Sequence, residues 1–580
     1  MSAIAHDPGR VRVVADRFRA NEYRTMPHQS HSELQASICV LCRGLLIQLI
    51  TAIVSTGYAA HAQAAQNLDP EGIHGTLILV GGGEVPDGAT ELLKKNSAEA
   101  SILILADASS EPQEAAESAR QWLSEHGLSN VVSVDSGLTA PEKFAETIKA
   151  IEKASVVWIC GGQQSRLAET YAGSEVEDAL RAMLQRGGTI AGTSAGAAIM
   201  SKVMIASGKD QPEISVGWDL LTGGIVDQHF SERDRLNRSR IAVDRNPGCF
   251  GLGIDESTAV IVSGRSLQVT GNGNATILLA KCSYRESESY EIAPGGVADL
   301  TQVRRAALQR KSGVDPGEPV NGPPELKSGS LVVVGGGSMP EDVVDRFVEL
   351  AGRRDARIVV LPTAVPRSET TDEVPGFLKR AEVANISVLT QRNGEVETEA
   401  FQSALKSATG VWFGGGRQWN FVDAYEGTTA IELFHDVLRR GGVIGGSSAG
   451  ATIQGEFLVR GHPLGNTVMM AEGYERGFAF LPGVAIDQHF AQRGRQPDLL
   501  PVIKRHSKLL GIGIDEGTAV VVTGSQAEVI GQHSAHFISA RHLKSLPPEA
   551  TLPDGVNGAS TLYTIVTTGN SIDLRTLMED

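Results

Sequence analysis

Short apolar runs alternate with amphipathic segments along most of the chain. Residues 76–80 are apolar and end at three glycines, and residues 155–160 have the same character, so both predict buried strands. Residues 112–126 carry apolar positions at helical spacing, and residues 180–185 end a second predicted helix at paired glycines. Residues 257–310 are rich in strand-forming residues and are expected to complete the edge of the sheet. This alternation predicts an α/β fold with a mostly parallel sheet and helices on both faces.

The pattern is present twice. The three glycines that begin at Gly81 recur at Gly335, 254 residues later, and residues 186–197 recur at the same separation. The tetrapeptide Asp-Gln-His-Phe that begins at Asp227 recurs at Asp487, 260 residues later, so the second copy has six more residues in between. A separation held over several motifs indicates duplication, and the fold class is therefore two tandem copies of one α/β domain.

Domain boundaries follow from the repeat and from composition. Residues 311–328 are rich in Pro, Gly and charge, which is typical of a flexible or semi-extended linker. The expected domains are residues 65–310 (copy one) and residues 329–580 (copy two), each of a size compatible with one α/β domain.

The N-terminal region, residues 1–64, resembles a signal peptide with a long n-region. Several arginines precede an apolar run at residues 44–60, and small residues at 60–64 suit signal-peptidase cleavage. This pattern predicts a secreted or periplasmic protein. A single membrane anchor is the alternative, although the run is short for a span. Met1 and Met26 are both candidate start residues.

Composition excludes some classes of partner and cofactor. The net charge of −16 argues against a nucleic-acid partner, because phosphate binding depends on clustered Lys and Arg. Beyond the N-terminal region the cysteines are Cys160, Cys249 and Cys282, which is too sparse a set for a disulfide framework. No Cys/His pair has zinc-ligand spacing, and neither a metal nor an organic cofactor is expected.

Ser194 lies in the sequence Gly-Thr-Ser-Ala-Gly, and Ser448 lies in its counterpart Gly-Ser-Ser-Ala-Gly. Each follows an apolar run and precedes a segment compatible with a helix, which is the context of a nucleophile elbow. One such motif alone is more often a glycine-rich turn with an incidental serine. Its recurrence in both copies, in the same context, favours a nucleophile.

His229 and His489 occupy the third position of the repeated Asp-Gln-His-Phe motif, and a serine nucleophile needs such a base. In each copy a carboxylate, Glu256 or Glu516, lies 27 residues beyond the histidine and could orient the imidazole. The neighbouring aspartates of the Gly-Ile-Asp-Glu motif are alternatives for that role. A core histidine and a solvated acid at a strand end are the structural alternatives.

Arginines cluster after each histidine: Arg233, Arg235 and Arg238 in copy one, and Arg493 and Arg495 in copy two. Arginine pairs bidentately with carboxylates, so the cluster favours a substrate that bears a carboxylate. An exposed basic helix face is the alternative. In copy two Asp498 aligns with Arg238, which puts the substrate preference of that copy in question.

Taken together, the serine, histidine and glutamate motifs resemble cyanophycinase, a serine exopeptidase family related to peptidase E with a class I glutamine amidotransferase-like fold. The resemblance covers residues 75–580 as two copies, whereas the family usually has one domain per chain. It implies that the serines are nucleophiles, the histidines general bases and the glutamates their orienting acids. It also implies a substrate pocket formed by Gln164, Asp227, Gln228, Arg233, Arg235 and Arg238 in copy one, and by Gln418, Asp487, Gln488, Arg493 and Arg495 in copy two.

The expected function is hydrolysis of cyanophycin, or a related aspartyl–arginine polypeptide, to β-aspartyl-arginine dipeptides. A peptidase E-like aspartyl dipeptidase or another isopeptidase is one alternative, and a catalytically silent binding protein is another. Because single-domain relatives commonly pair, the duplication is also expected to have fused a dimer into an internal pseudo-dimer.

Overall fold

The structure, a computed structural model, describes residues 68–97, 101–134, 140–319, 322–544 and 555–578. The predicted signal peptide, residues 1–64, lies outside the described residues. Both copies belong to one compact unit. Within the described ranges, no helix combines the length and the apolar content that a bilayer span requires.

Copy one contains fourteen strands and eight helices among its described residues. The strands are β1 (Ile73–Val80), β2 (Ser101–Leu105), β3 (Val131–Ser133), β4 (Ala154–Ile159), β5 (Thr189–Thr193), β6 (Val203–Ser207), β7 (Glu213–Val216), β8 (Gly224–Gln228), β9 (Phe250–Ile254), β10 (Thr258–Gly264), β11 (Ser266–Gly271), β12 (Ala275–Leu279), β13 (Glu288–Ile292) and β14 (Val297–Asp299). The helices are α1 (Asp87–Asn96), α2 (Pro112–Glu125), α3 (Ala140–Lys153), α4 (Gln164–Tyr171), α5 (Glu175–Gln185), α6 (Ala195–Ala198), α7 (Leu236–Arg245) and α8 (Leu300–Ser312).

Copy two repeats this order with local differences. Its strands are β15 (Ser330–Val334), β16 (Arg357–Leu361), β17 (Asn385–Val388), β18 (Gly410–Phe413), β19 (Val443–Ser447), β20 (Gly455–Phe457), β21 (Leu481–Gln488), β22 (Leu510–Ile514), β23 (Thr518–Thr523), β24 (Gln526–Gly531), β25 (Ser534–Ile538), β26 (Thr564–Thr567) and β27 (Ser571–Asp573). Its helices are α9 (Glu341–Leu350), α10 (Gly376–Arg380), α11 (Glu399–Ser407), α12 (Gln418–Tyr425), α13 (Thr429–Arg439), α14 (Ala449–Thr452), α15 (Leu499–Arg505), α16 (Ala540–Leu543) and α17 (Val556–Ser560).

Each copy has a large sheet at its centre. In copy one its order is β14-β11-β10-β1-β5-β4-β2-β3, and in copy two β17-β16-β18-β19-β15-β23-β24-β27. Strand β1 is buried on both faces, because Leu77 and Leu79 pack into one apolar cluster and Ile78 and Val80 into another. Five strands of each large sheet are parallel and the remaining three antiparallel. The predicted α/β fold in two copies is confirmed.

A second, smaller sheet accompanies the large one in each copy, with the order β13-β12-β9-β8 in copy one and β20-β21-β22-β25-β26 in copy two. The expected strand-rich segment, residues 257–310, divides between both sheets of copy one, and its last part is a helix rather than a strand. Asp299 caps this helix, α8, by accepting a hydrogen bond from Gln302 N at 2.7 Å. The predicted linker begins inside α8, whose last residues are Lys311 and Ser312.

Oppositely charged side chains join the two copies. Arg305 and Arg310 project from α8 of copy one, and both are buried. Arg305 forms ion pairs with Glu426 and Asp423, and Arg310 binds Glu472 through two hydrogen bonds of 2.6 and 2.8 Å. The arginines of copy one and the carboxylates of copy two therefore form a buried ionic contact.

One ion pair of this contact is specific to the order of the two copies. Arg265, in the turn between β10 and β11, lies 2.5 Å from Asp423 on α12. Its equivalent in copy two is Ser525, and the equivalent of Asp423 in copy one is Glu169, so this ion pair cannot recur with the copies exchanged. The internal pseudo-dimer stays a prediction.

Candidate active sites

Each candidate nucleophile lies in the turn between a parallel strand and a short helix. Ser194 follows β5, and Ser448 follows β19. Their φ angles are 53° and 57° and their ψ angles −113° and −111°, a region that is strained for a residue with a Cβ. A Cβ added at Gly192 or Gly196 would lie 2.3 Å from a backbone oxygen, so the flanking glycines are required. This is the geometry of a nucleophile elbow.

The base histidine is brought to the serine by the chain that follows β1. Ser194 N donates to Val80 O at 2.9 Å, and His229 N donates to Gly81 O at 2.8 Å. The next residue, Gly82, has a φ of 112°, and a Cβ there would lie 2.1 Å from Cε1 of the imidazole. In copy two Gly336 leaves the same space for its histidine. The glycine run after the first strand therefore makes room for the imidazole.

The glutamate reaches the histidine because β8 and β9 run parallel side by side. Their register places Gln228 opposite Ile254, so His229 and Glu256 leave the sheet at the same edge. In copy two β21 and β22 pair in the same way. Of the two acids in the Gly-Ile-Asp-Glu motif, the glutamate is the one that contacts the imidazole.

Hydrogen bonds connect the three side chains in both copies. In copy one the Ser194 Oγ to His229 Nε2 distance is 2.8 Å, and the His229 Nδ1 to Glu256 Oε1 distance is 2.6 Å. In copy two the Ser448 to His489 distance is 2.9 Å, and the distance from that histidine to its glutamate is 2.5 Å. An ionised carboxylate only accepts, so Nδ1 carries the proton and Nε2 of the neutral ring accepts from the serine hydroxyl.

Burial is the main cause that lowers the pKa of His229 and of His489 below the usual value. The hydrogen bond from each histidine to its glutamate opposes this effect, and the positive charge of Arg233 or Arg493 reinforces it. Both imidazoles are therefore held neutral near pH 7, which is the protonation state a general base needs.

The neighbouring aspartates support the backbone around the site. Asp255 Oδ1 accepts from Ser231 N at 3.1 Å and from Ser231 Oγ at 2.6 Å, and its other oxygen accepts from Asn274 N at 2.9 Å. Asp515 likewise accepts from Ala491 N at 3.0 Å. These carboxylates fix the turn that follows each histidine and do not contact the imidazole.

The arginine cluster of copy one is organised around a buried carboxylate. Asp227 is 1% exposed, and Arg238 binds it through both oxygens, with a distance of 2.9 Å from Nε. Ser239 Oγ donates to it at 2.5 Å, and Arg235 Nη1 at 3.3 Å. Asp227 and Arg238 therefore influence the site through the side chains they hold, chiefly Arg235.

Copy two builds the same cluster from a different arginine. Arg460, in the longer loop that follows β20, binds both oxygens of Asp487 at 2.8 Å. Its Nη2 also lies 2.5 Å from Asp498, the residue that replaces Arg238. Arg495 Nη1 donates to Asp487 at 3.1 Å, as Arg235 does to Asp227 in copy one. The arginine that is missing at position 498, directly before α15, is thus replaced by Arg460 from the loop.

The predicted glutamines are buried beside the sites. Gln164 Nε2 donates to Ile205 O at 2.8 Å, and Gln418 Nε2 donates to Val459 O at the same distance. Gln228 and Gln488 are also buried, at the ends of β8 and β21, and Gln488 Oε1 accepts from an arginine at 2.8 Å. The glutamine side chains connect the loops around each site.

Arg233 and Arg493 are exposed directly after the histidines. They are the predicted pocket residues with the most accessible guanidinium groups. Arg233 N donates to His229 O at 3.2 Å and Arg493 N donates to His489 O at 3.1 Å, and each positive charge lowers the pKa of its histidine. A carboxylate of a bound substrate could pair with this group.

Within the described residues, no three His, Cys, Asp or Glu side chains are grouped so that they could hold a metal ion. Cys160, Cys249 and Cys282 are free thiols.

The comparison with known families bears on both copies. Residues 77–270 and residues 331–530 each match peptidase family S51. The chain belongs to peptidase family S51. The two matches coincide with the two copies, so this S51 protein carries its family domain in tandem, and it is a peptidase.

Curated relatives named cyanophycinase are similar to a stretch of this chain about as long as one copy. The protein of Trichormus variabilis is 32% identical over 232 residues, which cover 37% of this chain and 78% of the relative. That of Geminocystis herdmanii is 30% identical over 221 residues, with 37% and 81% covered. Among solved structures, a peptidase from an acI-B1 Actinobacterium is 21% identical, with a TM-score of 0.33, and covers 40% of this chain and 98% of its own.

Two functional features escaped the sequence analysis. In the sequence the glycines after β1 mark only the end of a predicted strand, and nothing in their pattern identifies the imidazole that lies against Gly82. Arg460 was not singled out at all. Two features of the sequence pointed to Arg460: the six extra residues of copy two and the aspartate at position 498. Only the fold shows that these two features are adjacent in space.

Proposed function

We propose that this S51 peptidase is a secreted serine-type exopeptidase that hydrolyses cyanophycin to β-aspartyl-arginine dipeptides, with one working site in each copy. The observation that carries the proposal is the Ser–His–Glu hydrogen-bond chain, which is present in both copies at distances of 2.5–2.9 Å. The curated relatives, which are named cyanophycinase, support the choice of substrate.

In the proposed reaction His229 removes the Ser194 proton as Oγ attacks the scissile carbonyl. Backbone N–H groups near Gly162 and Ala195 stabilise the oxyanion. The protonated imidazole then donates to the leaving amine, and water, activated by the same histidine, releases the product and frees the serine. Copy two performs the same steps with its own serine, histidine and glutamate.

Specificity follows in this proposal from the exposed guanidinium group beside each histidine. Arg233 is available to pair with a carboxylate of the polymer, while Arg235 is held in place by Asp227. In copy two Arg493 has the same position relative to His489.

The deciding experiment measures dipeptide release from insoluble cyanophycin by the mature chain and by Ser194→Ala, Ser448→Ala and the double variant. Each single variant is expected to retain activity, and the double variant is expected to lose it. Ser403→Ala, at an exposed position on α11, serves as the control. No release by the folded wild-type chain would refute the cyanophycinase activity, and cleavage of aspartyl dipeptides alone would favour a peptidase E-like enzyme.

Export is part of the proposal and is supported by the sequence pattern of residues 1–64. Cell fractionation should recover the processed chain in the medium or periplasm. Recovery of an unprocessed, membrane-bound chain would support the anchor instead.

A further inference from the structure

Copy one has an open cavity of about 590 Å³ next to its active site. One wall is formed by the residues that follow the base histidine, and the other by strands β12 and β13. We call this cavity the β13 groove. Its polar and aromatic lining includes Ser231, Asp234, Arg235, Thr276, Tyr290 and Glu291.

In copy two the protein's own chain fills the equivalent space. The ring of Tyr563 lies 5.5 Å from that of Phe490, and its hydroxyl donates to Gln496 O at 2.6 Å. Val556, at the start of α17, lies over Gly494, where an added Cβ would be 3.2 Å from Cγ2 of the valine. The site of copy two is therefore closed on the side where that of copy one is open.

The cause of this difference is the length of one connection. Residues 280–287 join β12 to β13 in copy one, whereas residues 539–563 join β25 to β26 in copy two and include α16 and α17. The shorter connection of copy one has no segment that could cover the cavity. The open groove is therefore a structural difference between two domains of common origin.

The lining of the groove matches an extended chain with basic side chains. Asp234 and Glu291 are exposed carboxylates, and the Tyr290 ring, 36% exposed, offers a surface on which a guanidinium group can stack. Strand β13 is the edge of its sheet, with β12 as its neighbour, and an edge strand can pair with an extended peptide. The carboxylates, the aromatic surface and the edge strand all favour an extended peptide with basic side chains.

The groove continues toward copy two. Tyr290 and Glu291 also line a second cavity of about 490 Å³, and its opposite wall includes His462 and Leu464 of the longer loop. Arg417, which follows the glycines beside Ser448, donates to His462 O at 2.7 Å. One wall of the second cavity is therefore hydrogen-bonded to the residue that follows the glycines beside Ser448.

We propose that the β13 groove binds an extended, arginine-bearing polypeptide outside the active site of copy one and so directs the polymer to that copy. The proposal rests on the function proposed above. Copy two, which is closed at this position, then depends less on the length of its substrate.

Binding is tested with the full chain carrying Ser194→Ala and Ser448→Ala, which removes turnover. Its retention on insoluble cyanophycin is compared with that of the same chain carrying Tyr290→Thr and Glu291→Ile, the residues of copy two at these positions. The substitutions should raise the concentration for half-maximal retention about tenfold. Glu146→Ile, an equal charge change at an exposed position on α3, should leave it unchanged.

The activity of copy one alone is measured in the Ser448→Ala background. The groove substitutions should raise KM for the polymer about tenfold at constant kcat and leave cleavage of a two-unit substrate unaltered. Glu291→Lys is a second variant whose melting temperature establishes that the fold is intact. Unchanged retention and KM in folded variants, or no retention of the inactive chain, would overturn the groove. Failure of the wild-type chain to cleave either substrate would instead refute the enzymatic function.

Discussion

At the scale of single residues, the Glu256 carboxylate decides which nitrogen of His229 carries the proton. In the Ser448→Ala background, Glu256→Gln should reduce kcat of copy one by about 10³- to 10⁴-fold, because an amide can direct its NH₂ group at Nδ1 and select the wrong tautomer. The readout is dipeptide release at saturating polymer. Loss of less than tenfold would mean that the carboxylate does not orient the base.

The same residues set the pH dependence. Burial lowers the pKa of His229, so kcat/KM of copy one should fall only at pH values below the usual histidine value of about 6.5. The Glu256 contact raises this pKa, and its removal should move the acidic limb to still lower pH. The sign is fixed because the neutral imidazole is the active form, and protonation as the pH falls removes it.

Most of the site could be predicted from sequence because its residues occur twice. Ser194, His229 and Glu256 each lie in a motif that is kept at the same position in copy two, and a repeat acts as an internal comparison. The structural role of Asp227 could not be predicted. The same sequence of aspartate and arginines could form a buried ion-pair cluster or an exposed pocket that binds a substrate carboxylate. Only the burial of these side chains in the structure distinguishes the two.

At the scale of elements, the loop after β20 in copy two supplies Arg460, the positive charge that Arg238 supplies from α7 in copy one. Arg460→Met should remove the arginine that binds both oxygens of Asp487 and leave two carboxylates, Asp487 and Asp498, close together. Loss of one partner of a buried ion pair costs about 3–5 kcal/mol. In the Ser194→Ala background, kcat/KM of copy two should fall at least tenfold, because Arg495 and the strand end that precedes His489 lose their support.

The matched rescue is Asp498→Arg in the Arg460→Met chain, which recreates the arrangement of copy one. Activity and melting temperature should both recover in the double variant. Asp498→Arg alone should be destabilising, since it places a third arginine at one buried carboxylate. Equal activity in all three variants would show that this cluster has no influence on the catalytic histidine.

The elements themselves were predicted where their patterns are local. The apolar strands and the glycines that end them determine the large sheet without reference to distant residues. Helix α8 was assigned to strands, and the reason is physical. It buries Arg304, Arg305 and Arg310, and two of these find their carboxylate partners in copy two, more than 100 residues away. No local window of sequence contains that information.

At the scale of the whole molecule, buried charges couple the copies. Arg305→Met should remove one buried partner of Glu426 and of Asp423 and weaken the contact between the copies. We expect calorimetry to show one unfolding transition for the wild-type chain and two for the variant. Arg353→Met, at an exposed ion pair with Glu349, should keep a single transition. Two transitions already in the wild-type chain would mean that the copies unfold independently.

The different positions of Arg238 in copy one and Arg460 in copy two also limit how the gene can evolve. Tandem repeats can undergo unequal recombination, and a crossover at a point between Arg460 and the histidine motif would produce a hybrid domain. One hybrid would join Asp487 and Asp498 without Arg460, and the other would bring Arg460 and Arg238 to one aspartate. Each buries an unbalanced charge, so recombinants of either kind should fold poorly. Segments of the two copies can therefore no longer replace one another, and this preserves the sequence differences between the copies.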